Sequence, residues 1–211
     1  VSAFASADKG EHRSFLNRYY GLTRHIYDAT RKYYLLGRDV LLEQLAREPG
    51  WSRLIEVGPG TGRNLVMLHK RRPAGTYGGV EASDAMLEHA RGKAPFATLV
   101  HGFAEDADLA GLLGARPDRV MFSYCLSMVS DPQAALRNAR RSLAQGGEVV
   151  VVDFADLGGL PGPLQRGLGR WLKTFHVEPL DLRVFDGHDA RIQFGPGHYY
   201  VIARMGPLPP D

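Results

Sequence analysis

A single cysteine, Cys125, stands among 211 residues. That scarcity excludes an intrachain disulfide and a cysteine-based zinc cluster, and it suits a reducing compartment. No stretch approaches the roughly 18 consecutive apolar residues of a membrane-spanning helix. The first ten residues have neither a charged leader nor a long apolar run, so no signal peptide is expected and a cytoplasmic location is. The eight histidines show no H-x-x-x-H spacing or carboxylate cluster, so no metal is expected. Lysine is scarce as well, supplying only five of the 26 basic residues. The others are arginine, the planar cation suited to carboxylates and phosphates.

What is present fits a single domain with its own core: 44% hydrophobic and 23% charged residues, with 25 glycines and 13 prolines to make turns. The net charge of +3 is small, but it is unevenly placed. Between His12 and Arg38 six cations (Arg13, Arg18, Arg24, Arg31, Lys32, Arg38) face one acid, Asp28. The same segment carries Phe15, Tyr19, Tyr20, Tyr27, Tyr33 and Tyr34. On a helix, Arg13, Arg24, Arg31 and Arg38 fall within about 40° of one another, unless Gly21 and Gly37 break it. Such a stripe is either a solvated face with its tyrosines packed inward or a basic, aromatic lid over an anionic or zwitterionic ligand. Residues 1–48 are expected to form this lid, and residues 49–211 the main domain.

Strands and helices alternate along the main domain. Helices are expected over residues 39–48, 64–70, 83–90, 132–143 and 164–175, and strands over 53–57, 76–81, 97–100, 119–123 and 148–154. EVVVVDF, from Glu148 to Phe154, is a β-branched run suited to a sheet covered on both faces. Late strands are expected at residues 184–185 and 198–205, with 191–194 a candidate third. The pattern predicts an α/β fold, a doubly wound, mostly parallel sheet.

The first strand runs into Glu56-Val57-Gly58-Pro59-Gly60-Thr61-Gly62. Glycines there permit positive φ and close ligand approach, while the next helix offers free N–H groups. The dinucleotide fingerprint would require glycine at position 63, where Arg63 stands, and a Walker loop would require a following G-K-S/T. LIEVGPGTGRN over residues 54–64 resembles the first motif of the class I S-adenosylmethionine-dependent methyltransferases. Glu81, 19 residues past Gly62, lies where that family places its ribose-binding acid. Met86 matches its adenine-packing residue, and Gly102-Phe103-Ala104-Glu105 its adenine-contacting motif, with Phe103 where an acid usually stands. Gln145-Gly146-Gly147 resembles the entry to the fifth strand, with Gln in place of Pro.

The resemblance implies a seven-stranded sheet under an N-terminal helical lid, with S-adenosylmethionine as cofactor and S-adenosylhomocysteine as product. It assigns Glu56, Gly58, Gly60, Thr61, Gly62, Asn64, Glu81, Ala82, Met86, Phe103, Ala104 and Ser123 to the cofactor, together with Arg31 or Arg38 for a carboxylate.

YDATRKYYLLGRD over residues 27–39, with Tyr19-Tyr20 before it and SYCLSM at 123–128, is similar to the N-methyltransferases of betaine-lipid synthesis, which trimethylate diacylglyceryl-homoserine. That likeness implies a lipid-headgroup amine as acceptor, transient contact with the inner membrane face, and no nucleic-acid partner. The acceptor is then expected to meet Tyr19, Tyr20, Arg24, Ser127 and Met128. Tyrosine faces suit a quaternary ammonium product. An amine must lose a proton before each transfer, and Tyr27, His176, Asp153 or a water relay are candidates, with Tyr124 beside them at the reacting end. Two alternatives stay open: a quinone-type O- or C-methyltransferase, and an RNA-binding protein on the same scaffold.

Overall fold

The computed structural model describes residues 35–173 and 179–209. Seven strands form one sheet: β1 (Arg53–Val57), β2 (Thr76–Glu81), β3 (Thr98–His101), β4 (Arg119–Ser123), β5 (Glu148–Phe154), β6 (Arg191–Phe194) and β7 (Tyr200–Met205). Their spatial order is β3-β2-β1-β4-β5-β7-β6. The first five are parallel, and β7 enters antiparallel between β5 and β6. This is the doubly wound, mostly parallel α/β sheet that the alternation of elements predicts.

Side chains alternate between faces with the strand period of two. On β5, Val149 and Val151 join one core cluster, while Val150, Val152 and Phe154 join the other. The helices α1 (Leu36–Arg47), α2 (Arg63–Arg71) and α3 (Asp84–Lys93) cover the second face through Leu41, Leu42, Leu45, Leu65, Leu68, Leu87 and Ala90. The helix α4 (Pro132–Ser142) covers the first through Ala135, Leu136 and Ala139. Asp131 caps α4 by accepting from the Ala134 N–H at 2.9 Å, and Pro132 begins its first turn. A further helix, α5 (Gly162–Lys173), follows β5 and packs Leu172 into the α1 side of the core.

Three expectations need correction. Val184 and Phe185 belong to a 3₁₀ turn, Leu182–Phe185, not a strand. Asp181 captures the Arg183 N–H at 3.1 Å and so starts a turn, and the apolar pair is buried as an anchor under the sheet. Residues 198–199 also stand outside β7, because Pro196–His198 forms another 3₁₀ turn. Gly37 does not break α1 but lies inside it. A Cβ at Gly37 would sit 2.5 Å from the Tyr200 ring and 2.8 Å from Val152, so glycine lets the helix settle on β5 and β7.

Gly37→Ala is therefore expected to overpack this contact by about 1–3 kcal/mol. For a chain of this size, that lowers the melting temperature by roughly 3–10 °C. An unchanged transition in thermal unfolding followed by circular dichroism would refute the packing argument. Among the described residues, no helix is long and apolar enough to cross a membrane.

Candidate functional site

The chain order reverses at β1, whose neighbours β2 and β4 carry it in opposite directions. Loops leaving β1 and β4 therefore diverge at their carboxyl ends and open a crevice, the usual ligand position in such sheets. An open pocket with about 710 Å³ of empty space occupies it. Its wall includes Gly58, Gly60, Glu81, Ala82, Phe103, Ala104, Ser123, Tyr124 and Met128, all of them sequence-predicted.

The turn after β1 needs its glycines. Gly58, Gly60 and Gly62 have φ of 65°, 55° and 76°, the left-handed region that favours glycine. A Cβ at Gly58 would also press on the Cys125 Cβ at 3.0 Å. Glu81, at the end of β2 and 6% exposed, ties the turn down. One carboxylate oxygen accepts from the Gly60 N–H at 3.0 Å, the other from the Ser83 N–H at 2.9 Å. Burial raises the pKa of Glu81, and these N–H donors oppose the rise by favouring the carboxylate.

Behind the glycine turn lies a second polar group. Glu56 is fully buried and accepts from the Asn64 amide at 2.7 Å. Arg38, only 6% exposed, contributes its charge, yet burial dominates and pushes the Glu56 pKa up to about 8. Three buried polar atoms here have no hydrogen-bond partner among the described residues: Glu56 Oε2, Asn64 Oδ1 and Arg38 Nη2. Two are acceptors and one is a guanidinium donor, the complement of an ammonium and a carboxylate. Unsatisfied buried groups cost about 1–3 kcal/mol each, so such a set suits the zwitterionic end of an α-amino acid.

Tyr124 follows β4 with a left-handed backbone, φ 54°. Its phenol accepts from the Gly37 N–H at 3.1 Å, and its ring meets Phe154 edge-on at 4.7 Å. Burial and the nearby Asp153 charge raise its pKa, so it stays protonated and is no general base. Asp153 is fully buried and accepts from the Ser127 N–H at 3.3 Å and the Phe154 N–H at 2.9 Å. Cys125 donates its thiol to the Val57 carbonyl at 3.1 Å, and burial pushes that thiol's pKa up, leaving it unreactive.

Not every predicted residue reaches the pocket. Met86 is buried in α3 at 2% exposure and lies off its wall, as do Glu56, Thr61, Gly62, Asn64, Arg38 and Ser127. Gly62 instead lets α2 approach α3, with Ala90 3.3 Å from where its Cβ would be. Gly102 and Glu105, which flank Phe103 and Ala104 in the motif read as adenine-contacting, line the pocket too, whereas sequence reasoning missed Val57, Val80, Cys125, Val129 and Ser130 as lining residues. Their common signal is position at or just past strand ends. Tyr19, Tyr20, Arg24, Tyr27, Arg31 and His176 lie outside the described residues. Among those described, no group of three His, Cys, Asp or Glu side chains could hold a metal ion.

Residues 27–194 match the family described as a methyltransferase domain. A demethylmenaquinone methyltransferase of Thermus thermophilus is 32% identical over 111 residues, 52% of this chain and 50% of that protein. A dTDP-3-amino-3,4,6-trideoxy-alpha-D-glucopyranose N,N-dimethyltransferase of Streptomyces venezuelae is 34% identical over 106 residues, 50% of this chain and 44% of that one. The chain thus spans about half the length of the curated relatives it matches, or less. In fold it resembles the magnesium protoporphyrin IX methyltransferase of Synechocystis, solved with bound S-adenosylhomocysteine. The TM-score is 0.64 at 14% identity, covering 95% of this chain and 100% of the other.

Proposed function

The chain belongs to the class I S-adenosylmethionine-dependent methyltransferases, the family matched over residues 27–194, and from that premise we propose that it methylates the amine of a lipid head group, diacylglyceryl-homoserine, in successive steps to the trimethylated betaine lipid. The observation that carries this reading is YDATRKYYLLGRD at residues 27–39, the segment similar to the betaine-lipid N-methyltransferases. It leads directly into α1, which seats Arg38 beside Glu56. The dTDP-aminosugar dimethyltransferase relative adds an example of repeated methylation at one amine nitrogen.

When bound, S-adenosylmethionine supplies an electrophilic methyl group on a sulfonium. Glu81 would accept from its ribose hydroxyls, and Phe103 and Ala104 would meet its adenine. Glu56 and Asn64 offer acceptors to the methionine ammonium, and Arg38 a donor to its carboxylate. Reaction then depends on proximity and in-line alignment. Tyr124 fixes the start of α1 through Gly37 and lines the pocket as a neutral phenol. The proton released by the attacking amine goes to Asp153, to Tyr27 or His176, or through water.

A second reading, methylation of a quinone-type carbon or oxygen, is favoured by the demethylmenaquinone methyltransferase relative. One assay separates them. Purified protein with labelled S-adenosylmethionine is offered diacylglyceryl-homoserine in mixed micelles and, separately, a demethylated quinone. Mono-, di- and trimethylated homoserine lipid is the expected product set. Label in the quinone alone would replace the first reading with the second.

A further inference from the structure

Residues 102–107 leave β3, a four-residue strand at the edge of the sheet. No strand lies beyond β3 to steady that loop, yet Gly102, Phe103, Ala104 and Glu105 form one wall of the pocket. The loop is held from the side instead, by α4. Asn138, half-buried on that helix, donates its amide to the Ala104 carbonyl and to the Ala107 carbonyl, each at 3.0 Å. A side-chain amide has two N–H donors, so both are used on this one loop. At the cap of the same helix, the Asp131 N–H donates to the Glu105 carboxylate at 3.3 Å. Ser130, just before the cap, lines the pocket from the segment after β4. The helix thus braces two walls of the pocket, and Asn138 carries its tie to the loop backbone.

That tie matters because of the residue it holds. Phe103 stands where the family usually places an acid, and a phenyl ring has no acceptor for the adenine amino group. Recognition of the base at this position then depends on where the ring and its backbone stand. His101 meets the Phe103 ring edge-on, with centroids 6.0 Å apart. The backbone is fixed next door, at Ala104, through Asn138. A wall already in place when the ligand arrives needs no ordering on binding.

We propose that Asn138 is a positioning residue of the adenine subsite: by holding the Ala104 and Ala107 carbonyls it pre-forms the wall that Phe103 presents to the base, and so raises cofactor affinity without touching the cofactor. The proposal rests on the reading that Phe103 and Ala104 meet the adenine, and is independent of the methyl acceptor.

Calorimetric titration of S-adenosylhomocysteine into the full-length protein and its variants provides the test. Asn138→Leu, similar in size but without donors, should bind at least about tenfold more weakly, the scale of losing two hydrogen bonds. Phe103→Ala should lose at least about fivefold through stacking. In the double variant the Asn138→Leu loss should shrink by at least about threefold, because the wall no longer carries the ring it was holding. Gln133→Leu is the control for α4 as a whole. It removes the helix's bonds to the Val184 carbonyl and His188, and should lower the melting temperature while leaving the affinity at the wild-type value. Wild-type affinity in Asn138→Leu overturns the proposal. So do losses that simply add in the double variant, or a loss in Gln133→Leu as large as in Asn138→Leu, since Asn138 would then serve only the fold. If Phe103→Ala binds like the wild type, the adenine reading falls and the proposal with it. Should Asn138→Leu fail to fold, Asn138→Ser, whose single O–H replaces two N–H donors, carries the same cycle with a smaller loss.

Discussion

Replacing Glu81 with alanine is expected to weaken S-adenosylmethionine binding by at least about 100-fold, because one carboxylate serves two purposes. It anchors the ligand-free turn by accepting from the Gly60 and Ser83 N–H groups. It also lines the pocket, where its remaining lone pairs can accept from two ribose hydroxyls. A hydrogen bond to a charged group contributes about 1.5–3 kcal/mol, so loss of two corresponds to roughly 10²–10⁴ in affinity. Glu81→Gln should fall between, since its amide keeps one acceptor oxygen and cannot hold both N–H groups. Calorimetric titration measures the affinity, and thermal unfolding without ligand separates lost binding from a collapsed turn. Wild-type affinity in the alanine variant would remove Glu81 from the ribose site.

Glu81 could be placed on the pocket wall from the sequence because its position depends on local order. An acid that ends one strand, 19 residues past a triple-glycine turn, has few places to be in a parallel sheet. The glycines were legible for the same reason, as positive φ at positions 58, 60 and 62 is a backbone requirement that other residues meet poorly. Tyr124 was legible as a site residue but not in its working. Its phenol reaches Gly37, 87 residues earlier, and only the packing of α1 on β5 and β7 brings the two together. Val184 and Phe185 were misassigned because two apolar residues carry no periodicity, and the Asp181 side chain decided their backbone. Val129 and Ser130 line the pocket from irregular backbone past β4, where no repeating pattern marks a wall. Met86 is apolar and correctly spaced, yet burial in α3 takes it off that wall.

Glu56 should make cofactor binding strongly dependent on pH. With its pKa pushed up to about 8, the free protein holds this carboxyl mostly protonated at pH 7. Pairing with the methionine ammonium requires the carboxylate, so binding at pH 7 should release close to one proton. Affinity then rises with pH, by about 20-fold between pH 6 and 7.5, as the ionised fraction of free Glu56 grows. Near pH 8 the gain ends, because the ligand's own α-amino group, with an ordinary pKa of about 7.7–8.0, begins to lose its charge. Folding should show the opposite slope. An acid whose pKa is higher in the folded chain favours that chain while protonated, so ligand-free protein loses stability as pH rises from about 4.5 towards 8. Titration calorimetry in two buffers of different ionisation enthalpy counts the released proton. Glu56→Gln, which keeps the size and the Asn64 neighbour but cannot ionise, should bind more weakly and release none. Proton release that persists in this variant would place the titrating group elsewhere, and a flat affinity profile in the wild type would break the pairing between Glu56 and the ammonium.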